Sequence, residues 1–515
     1  MRLRVVLLLG LIATTFVSPE PAAAAVAWPR FALFGWLAPP PEYTDSLHVG
    51  DYARVGFDVM LPAWRDSGRV EDNLRRLDLA HARGMKCMVW DRRLRQVDPS
   101  NPATYVYLDS VVAAYRAHPA FLAYYLGDEP TLERIPLLAD FFALLAERDP
   151  DHPGWNNLPG RLAFPTHQAL LDYTRYYVAT VHPSLLSNDH YDLWQTGDRG
   201  QLVENVRTLA EVARESNLPF WGIIQLVEHW PTRAPTDGEL RWQIATWLSW
   251  GARGIGWFTY WTPDFDPVYE WRPALVDTAG ARTPQYERAR RIDREVRVIG
   301  EALAGTLWRS TRYAGSVPAY GDPFVPDSAI AGVEGRAAVA AFVDSAGEYR
   351  FVANSDSLRP QSIWLRVHAT ESRRVERLDA ESGRWVDTPV CDTGAGPRLE
   401  LALAPGDFAL LRFRPSGTAI DPGSLTPKTL EVWPNPARGQ AFFRATGWEA
   451  TARLVIRDAR GRVVRSGAPP PDGMTLCWRG ERDPGGLAAS GVYFVTVAEG
   501  PRRVTRRLQW LPASP

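Results

Sequence analysis

Between residues 30 and 300 the chain repeats one unit: a short apolar run rich in aromatic and β-branched residues, then an amphipathic stretch. The runs are FALFGWLAP (31–39), FDVMLPAW (57–64), KCMVWDRR (86–93), FLAYYLGDEP (121–130), GWNNLP (154–159), LLSNDHYDLW (185–194), FWGIIQLVEHW (220–230) and GIGWFTYWTP (254–263). Helical spacing fills the intervals. In VEDNLRRLDLAHARGM, Leu74, Leu77 and Leu79 turn inward and Gly84 is a stop signal. Eight strands alternating with helices predict an α/β fold of the (β/α)8 barrel type. A doubly wound open sheet is the competing arrangement. The count of eight, and the lack of a G-x-G-x-x-G after the first run, count against it.

A barrel of this kind carries its chemistry where strands end and βα loops begin. The polar residues of the runs fall at those ends: Asp91, Asp128 with Glu129, Asn156 with Asn157, Asp189 with His190, and Gln225 with Glu228. Composition adds an aromatic signal. The chain holds 21 Trp, whose flat faces pack in cores or cover the C–H faces of sugar rings. Trp36, Trp64 and Trp90, near the ends of the first three runs, are candidate walls of a sugar cleft, with Trp257, Tyr260 and Trp261 at the eighth and Tyr191 at the sixth. A net charge of -1 gives no argument for nucleic acid or an anionic membrane as partner.

The flanks differ from the barrel. Residues 1–25 read as a secretory signal peptide: Arg2 and Arg4, an apolar stretch from Val5 to about Val17, then an A-x-A site. No later segment is long and apolar enough to span a bilayer. The expectation is an exported protein, secreted or at the cell surface, with a barrel over 26–304. From 305 to 415 the segments alternate with period two and break at Gly, Asp and Ser, predicting an antiparallel β-sandwich. Residues 416–428 read as a linker and 429–515 as a second all-β unit. Cys87, Cys391 and Cys477 fall in three different units and have no zinc-ligand spacing, so neither a disulfide nor a metal site is expected. No cofactor is implied.

The sharpest site candidate is Gly127-Asp128-Glu129-Pro130. Two adjacent carboxylates after an apolar strand oppose each other's ionisation, and aromatic walls raise a carboxyl further. Helix capping by the same acids is the plain structural alternative. The run resembles the fourth strand of barrel glycosidases, and that resemblance implies a partner carboxylate at the seventh strand; Gln225 stands there, and an amide cannot form a glycosyl ester. Glu228 lies three residues on. Asn156 and Asn157 offer donors and acceptors suited to sugar hydroxyls, and Asp189, His190, Tyr191 and Gln225 are further candidate sugar contacts.

Residues 30–300 resemble the barrel glycoside hydrolase superfamily, and more closely exported bacterial barrel proteins with G-D-E-P after the fourth strand and a late F-T-Y-W. Here these are Gly127 to Pro130 and Phe258-Thr259-Tyr260-Trp261. The resemblance implies hydrolysis of a poly- or oligosaccharide, with Glu129 as acid and an aromatic floor at the eighth strand. The commoner pattern has Asn before the acid, where this chain has Asp128. Two completions stay open. Glu228 is the nucleophile, or the substrate's own 2-acetamido group is, oriented by Asp128 as in barrel N-acetylhexosaminidases. The alternative function is a non-catalytic carbohydrate-binding or surface scaffold on a degenerate barrel, which Gln225 favours. Separately, Pro434-Asn435-Pro436, Asp458 to Arg462, Ser490 to Phe494 and the closing basic strand resemble the C-terminal sorting or flagellar-hook-assembly-like immunoglobulin module of exported bacterial proteins. That implies secretion machinery as a partner.

Overall fold

The computed structural model describes residues 28–515 except 64, 265–266, 369–372, 393–395, 416–427, 449–450, 471–474, 484, 501 and 513–515. The signal-peptide, Trp64 and linker readings fall outside the described residues, apart from Lys428.

Each of the eight runs forms a parallel strand: β1 (Ala32–Gly35), β2 (Val59–Met60), β3 (Lys86–Val89), β4 (Phe121–Asp128), β5 (Gly154–Asn157), β6 (Leu186–Asp189), β7 (Phe220–Gln225) and β8 (Gly254–Phe258). They follow the order β5-β4-β3-β2-β1-β8-β7-β6. The ring closes between β5 and β6 through a parallel bridge from Leu158 to Asn188. Helices α1 (Ser46–Val55), α2 (Val70–His81), α3 (Tyr105–Tyr115), α4 (Ile135–Arg148), α5 (His167–Val181), α6 (Leu202–Glu215), α7 (Asp237–Ser249) and α8 (Pro284–Ala304) surround it.

Strand alternation splits the barrel's apolar residues into two layers. Phe34, Val59, Met88, Ala123, Trp155, Trp221 and Ile223 fill the interior. Leu33, Met60, Val89, Tyr124, Ile224, Ile255 and Trp257 pack outward against the helices. That outer layer continues into Phe342, Tyr349, Phe351, Phe408 and Leu410 of the next unit, so barrel and sandwich share apolar core. A hydrogen-bonded pair of ions also joins them: Arg241 of α7 reaches Asp407 at 3.2 Å.

Residues 307–415 form a six-stranded and a four-stranded antiparallel sheet. Residues 429–511 form a three-stranded and a five-stranded sheet around Phe443, Trp478 and Trp510. Among the described residues of the last unit every strand pairing is antiparallel except Ala437–Arg438 against the final strand. The short strand carrying Cys391 lies against the strand carrying Cys477. The Cys391 side chain is outside the described residues. Cys87 is buried in β3, and burial pushes its thiol up to about 12.

Candidate active site

The acids at the end of β4 owe their position to a bulge. Tyr125 pairs with Trp155, and Asp128 pairs with Asn157. Three steps separate the first pair from the second on β4 and two on β5, so the register shifts between Tyr125 and Gly127. The extra residue brings Asp128 onto the face of Tyr125, toward the barrel axis; regular alternation would turn it away. Glu129 follows with φ +42°, a left-handed conformation that a non-glycine residue adopts at some cost. Its N–H donates to Asn157 O at 2.9 Å. Behind it, Tyr173 of α5 donates to Pro130 O at 2.6 Å, which fixes the turn.

Asn157 is the centre of the arrangement. Its Nδ2 donates to Asp128 Oδ1 at 3.2 Å and to Asp189 Oδ1 at 2.7 Å. Its Oδ1 accepts from Ser187 Oγ at 3.1 Å, which sets the amide's orientation. One amide thus draws together carboxylates from β4 and β6, and Glu129 completes a group of three acids. Asp128 and Glu129 keep open surface, yet the surrounding protein displaces much of the water that would solvate their charges. That displacement, then the negative charges of Asp189 and Glu129, raises the Asp128 carboxyl well above its usual range. The same burial, then Asp189, brings Glu129 to about 7. Asp189 is raised by burial too, but Asn157 and the Tyr191 hydroxyl hold its anionic form. All three carboxyls are thus held toward their protonated forms and titrate as one interacting group, with Asn157 and Tyr191 opposing that shift at Asp189.

Aromatic surfaces flank the acids on both sides. On the β1–β4 side a cleft of about 370 Å³ is lined by Trp36, Trp90, Tyr125, Arg65, Arg95 and Gly127, among others. Its wall at Tyr125 and Gly127 is the strand that ends in Asp128. Trp36 packs against both Tyr125 and Trp155, with ring centres 6.2 and 6.3 Å away, and those two rings lie 5.6 Å from each other. On the β6–β8 side Tyr191 lies 4.8 Å from Phe258. His229 stacks on Trp271 at 4.5 Å, with Tyr269 next to that ring at 5.5 Å. Tyr191 therefore joins the acids to this second aromatic group.

No family model matches the chain, and no curated protein matches it. Solved structures resemble it in fold. A β-galactosidase from the psychrophilic Marinomonas ef1 shares 12% identity over 53% of this chain and 62% of its own, with a TM-score of 0.38. A β-galactosidase from Bacillus circulans sp. alkalophilus shares 9% over 75% of this chain and 99% of its own, with a TM-score of 0.49. A family 30 subfamily 8 xylanase from Clostridium acetobutylicum shares 14% over 75% and 100%, with a TM-score of 0.39. The neighbours are glycoside hydrolase barrels, and the chain spans less than two thirds of the length of the Marinomonas protein.

The structure redistributes several residues expected in the site. Trp257 faces outward, fully buried, its Nε1 donating to Asp293 of α8 at 3.0 Å. Tyr260 is buried against Tyr52 and Phe57, and Trp261 against Tyr43. These three do not form a floor: they are outer core, and Phe258 is the eighth-strand aromatic that packs against the interior. Tyr124 on β4 is also outer core, and its hydroxyl donates to Asp149 at 2.6 Å. Gln225 is fully buried. Its Nε2 donates to Leu193 O at 3.0 Å and Arg233 O at 2.8 Å, and its Oε1 accepts from Leu193 N at 3.1 Å. It braces two loops and has no atom left for a sugar. His190 is buried, its Nε2 3.1 Å from Asp192 Oδ1. Asn156 is buried with Nδ2 on Gly127 O. Asp91 pairs with Arg93 at 2.7 Å.

Among the described residues, no hydrogen bond or ion pair joins Glu228 to the acid group; its carbonyl accepts from Arg272 N at 3.0 Å. Asp189, read from sequence as a sugar contact, takes the place beside Asp128 and Glu129. Sequence reasoning missed Asn157 as a bridge between carboxylates and Trp271 and Tyr269 as ring surfaces. For Asn157, the Asn after Asn156 at a strand end with acids on both neighbouring strands was an available signal. Trp271 lies in a loop with no periodicity to mark it.

Proposed function

We propose that the chain is an exported glycoside hydrolase acting on a poly- or oligosaccharide, with Glu129 as general acid. The observation that carries this reading is the group Asp128–Glu129–Asp189 around Asn157, in which Glu129 holds a proton near neutrality and Asn157 and Tyr191 oppose the shift at Asp189. Environments that push neighbouring carboxyls apart are what acid catalysis at neutral pH needs. Glu129 delivers its proton to the leaving glycosidic oxygen. Asp189, fixed by Asn157 and Tyr191, faces the positive charge that builds on the sugar as that bond breaks, and a water molecule then adds to the anomeric carbon and gives its proton to a carboxylate of the group. Asp128 stays protonated and donates to the substrate. Glu228 is not required in this scheme, and Gln225, a loop brace, is no argument for a lost nucleophile.

The aromatic surfaces on both sides suit sugar rings on either side of the cleaved bond. Export by the N-terminal segment, and handling by secretion machinery through residues 429–515, belong to the same proposal. The test is release of reducing ends from a panel of polysaccharides by wild type and Glu129→Gln. Wild-type activity lost in the variant supports the reading; activity retained in the variant refutes it.

A further inference from the structure

The cleft beside the acids carries a cation that no carboxylate answers. Arg95 lines it and lies over the Trp90 ring, 4.8 Å from its centre. Among the described residues it has no acid partner. The other charges there are matched: Arg65 pairs with Asp264 at 3.0 Å, and Asp66 pairs with buried Arg76 at 2.6 Å. A guanidinium resting on an indole keeps its plane fixed and its N–H edge free, a shape that meets a carboxylate with two parallel hydrogen bonds. The same cleft offers Trp36 and Tyr125 as ring surfaces, and its far wall leads to Asp128.

Resting on the reading of the site as a glycosidase, we propose that this cleft binds a uronic acid residue of the substrate. The sugar ring lies against the Trp36 and Tyr125 walls, and Arg95 takes the C6 carboxylate. A neutral sugar would leave Arg95 without a partner in the complex.

The test uses the full chain carrying Glu129→Gln, so that substrates survive, and calorimetric titration. The probes are oligogalacturonate and oligoglucuronate, the same oligosaccharides with carboxyls reduced to alcohols, and a sulfated galactan oligosaccharide. A bidentate charged contact corresponds to at least about tenfold tighter binding of a uronate than of its reduced form. Adding Arg95→Gln should erase that preference, and Arg95→Lys should keep part of it. Equal affinity for acidic and reduced forms, no binding of either uronate, or a preference untouched by Arg95→Gln overturns the inference. So does tighter binding of the sulfated probe. Hydrolysis by the unsubstituted chain separates this from the parent reading. Glu129-dependent cleavage of neutral glycans alone sinks the uronate subsite and leaves the glycosidase. Arg95-dependent uronate binding without any hydrolysis does the reverse.

Discussion

Replacing Glu129 with Gln should stabilise the protein at alkaline pH and do nothing at acid pH. The carboxyl ionises at about 7 in the fold against an ordinary value of 4.5. A group that holds its proton more tightly when folded favours the fold at low pH, and that advantage is lost as pH rises from 4.5 through about 7. The full difference would be roughly 3 kcal/mol at ~1.4 kcal/mol per unit. Glu129 keeps open surface, so screening reduces this to about 1 kcal/mol. Gln has the same shape and the same left-handed backbone, so the comparison isolates the charge. For a unit of barrel size the expected gain is about 2 °C in melting temperature at pH 8. At pH 4, where both side chains are neutral, the two proteins should melt together. Differential scanning calorimetry at both pH values decides it. Equal melting at pH 8, or a gain of the same size at pH 4, would refute the claim that Glu129 is held protonated by its surroundings.

Other substitutions probe the remaining parts. Asn157→Ala removes a donor from both Asp128 and Asp189. Losing about 1.5–3 kcal/mol of charge-assisted bonding predicts a rate loss of about ten- to a hundredfold, with the acidic limb of the pH–rate profile moved to higher pH. Gln225→Glu sets a carboxylate against the carbonyls of Leu193 and Arg233, so the protein should lose about 2 kcal/mol or more of stability and gain no rate, measured by denaturation and glycan assay. Trp271→Ala should raise KM about three- to tenfold with kcat little changed, as expected for a ring that holds substrate and touches no reacting atom.

Much of the fold was legible because the barrel strands are short apolar runs with turn residues between them, and every run formed a strand. The candidate site was legible only in part, for reasons of parity. Which face a strand residue takes depends on counting by twos, and the bulge at Leu126 resets the count on β4 without leaving a mark in the sequence. At β8 the same parity puts Trp257 outside and Phe258 inside, so an aromatic-rich motif was assigned to the cleft when most of it packs against α1 and α8. Gln225 looked like a vacated catalytic position because the sequence gives its strand and not its hydrogen bonds. Asp189 looked like a sugar contact because its closeness to Asp128 depends on ring closure between β5 and β6, through Leu158 and Asn188. Glu129 was readable because its neighbours in sequence, Asp128 and Pro130, are also its neighbours in the fold.

The measurement closest to the central claim is the dependence of Glu129→Gln on leaving-group acidity. A general acid matters when the departing oxygen needs a proton and little when it does not. The account predicts a loss of about 10²–10⁴-fold on natural glycans or poor aryl leaving groups, and near wild-type cleavage of dinitrophenyl glycosides of the same sugar. An equal loss on both kinds of substrate, or no loss on either, would contradict Glu129 as the proton donor.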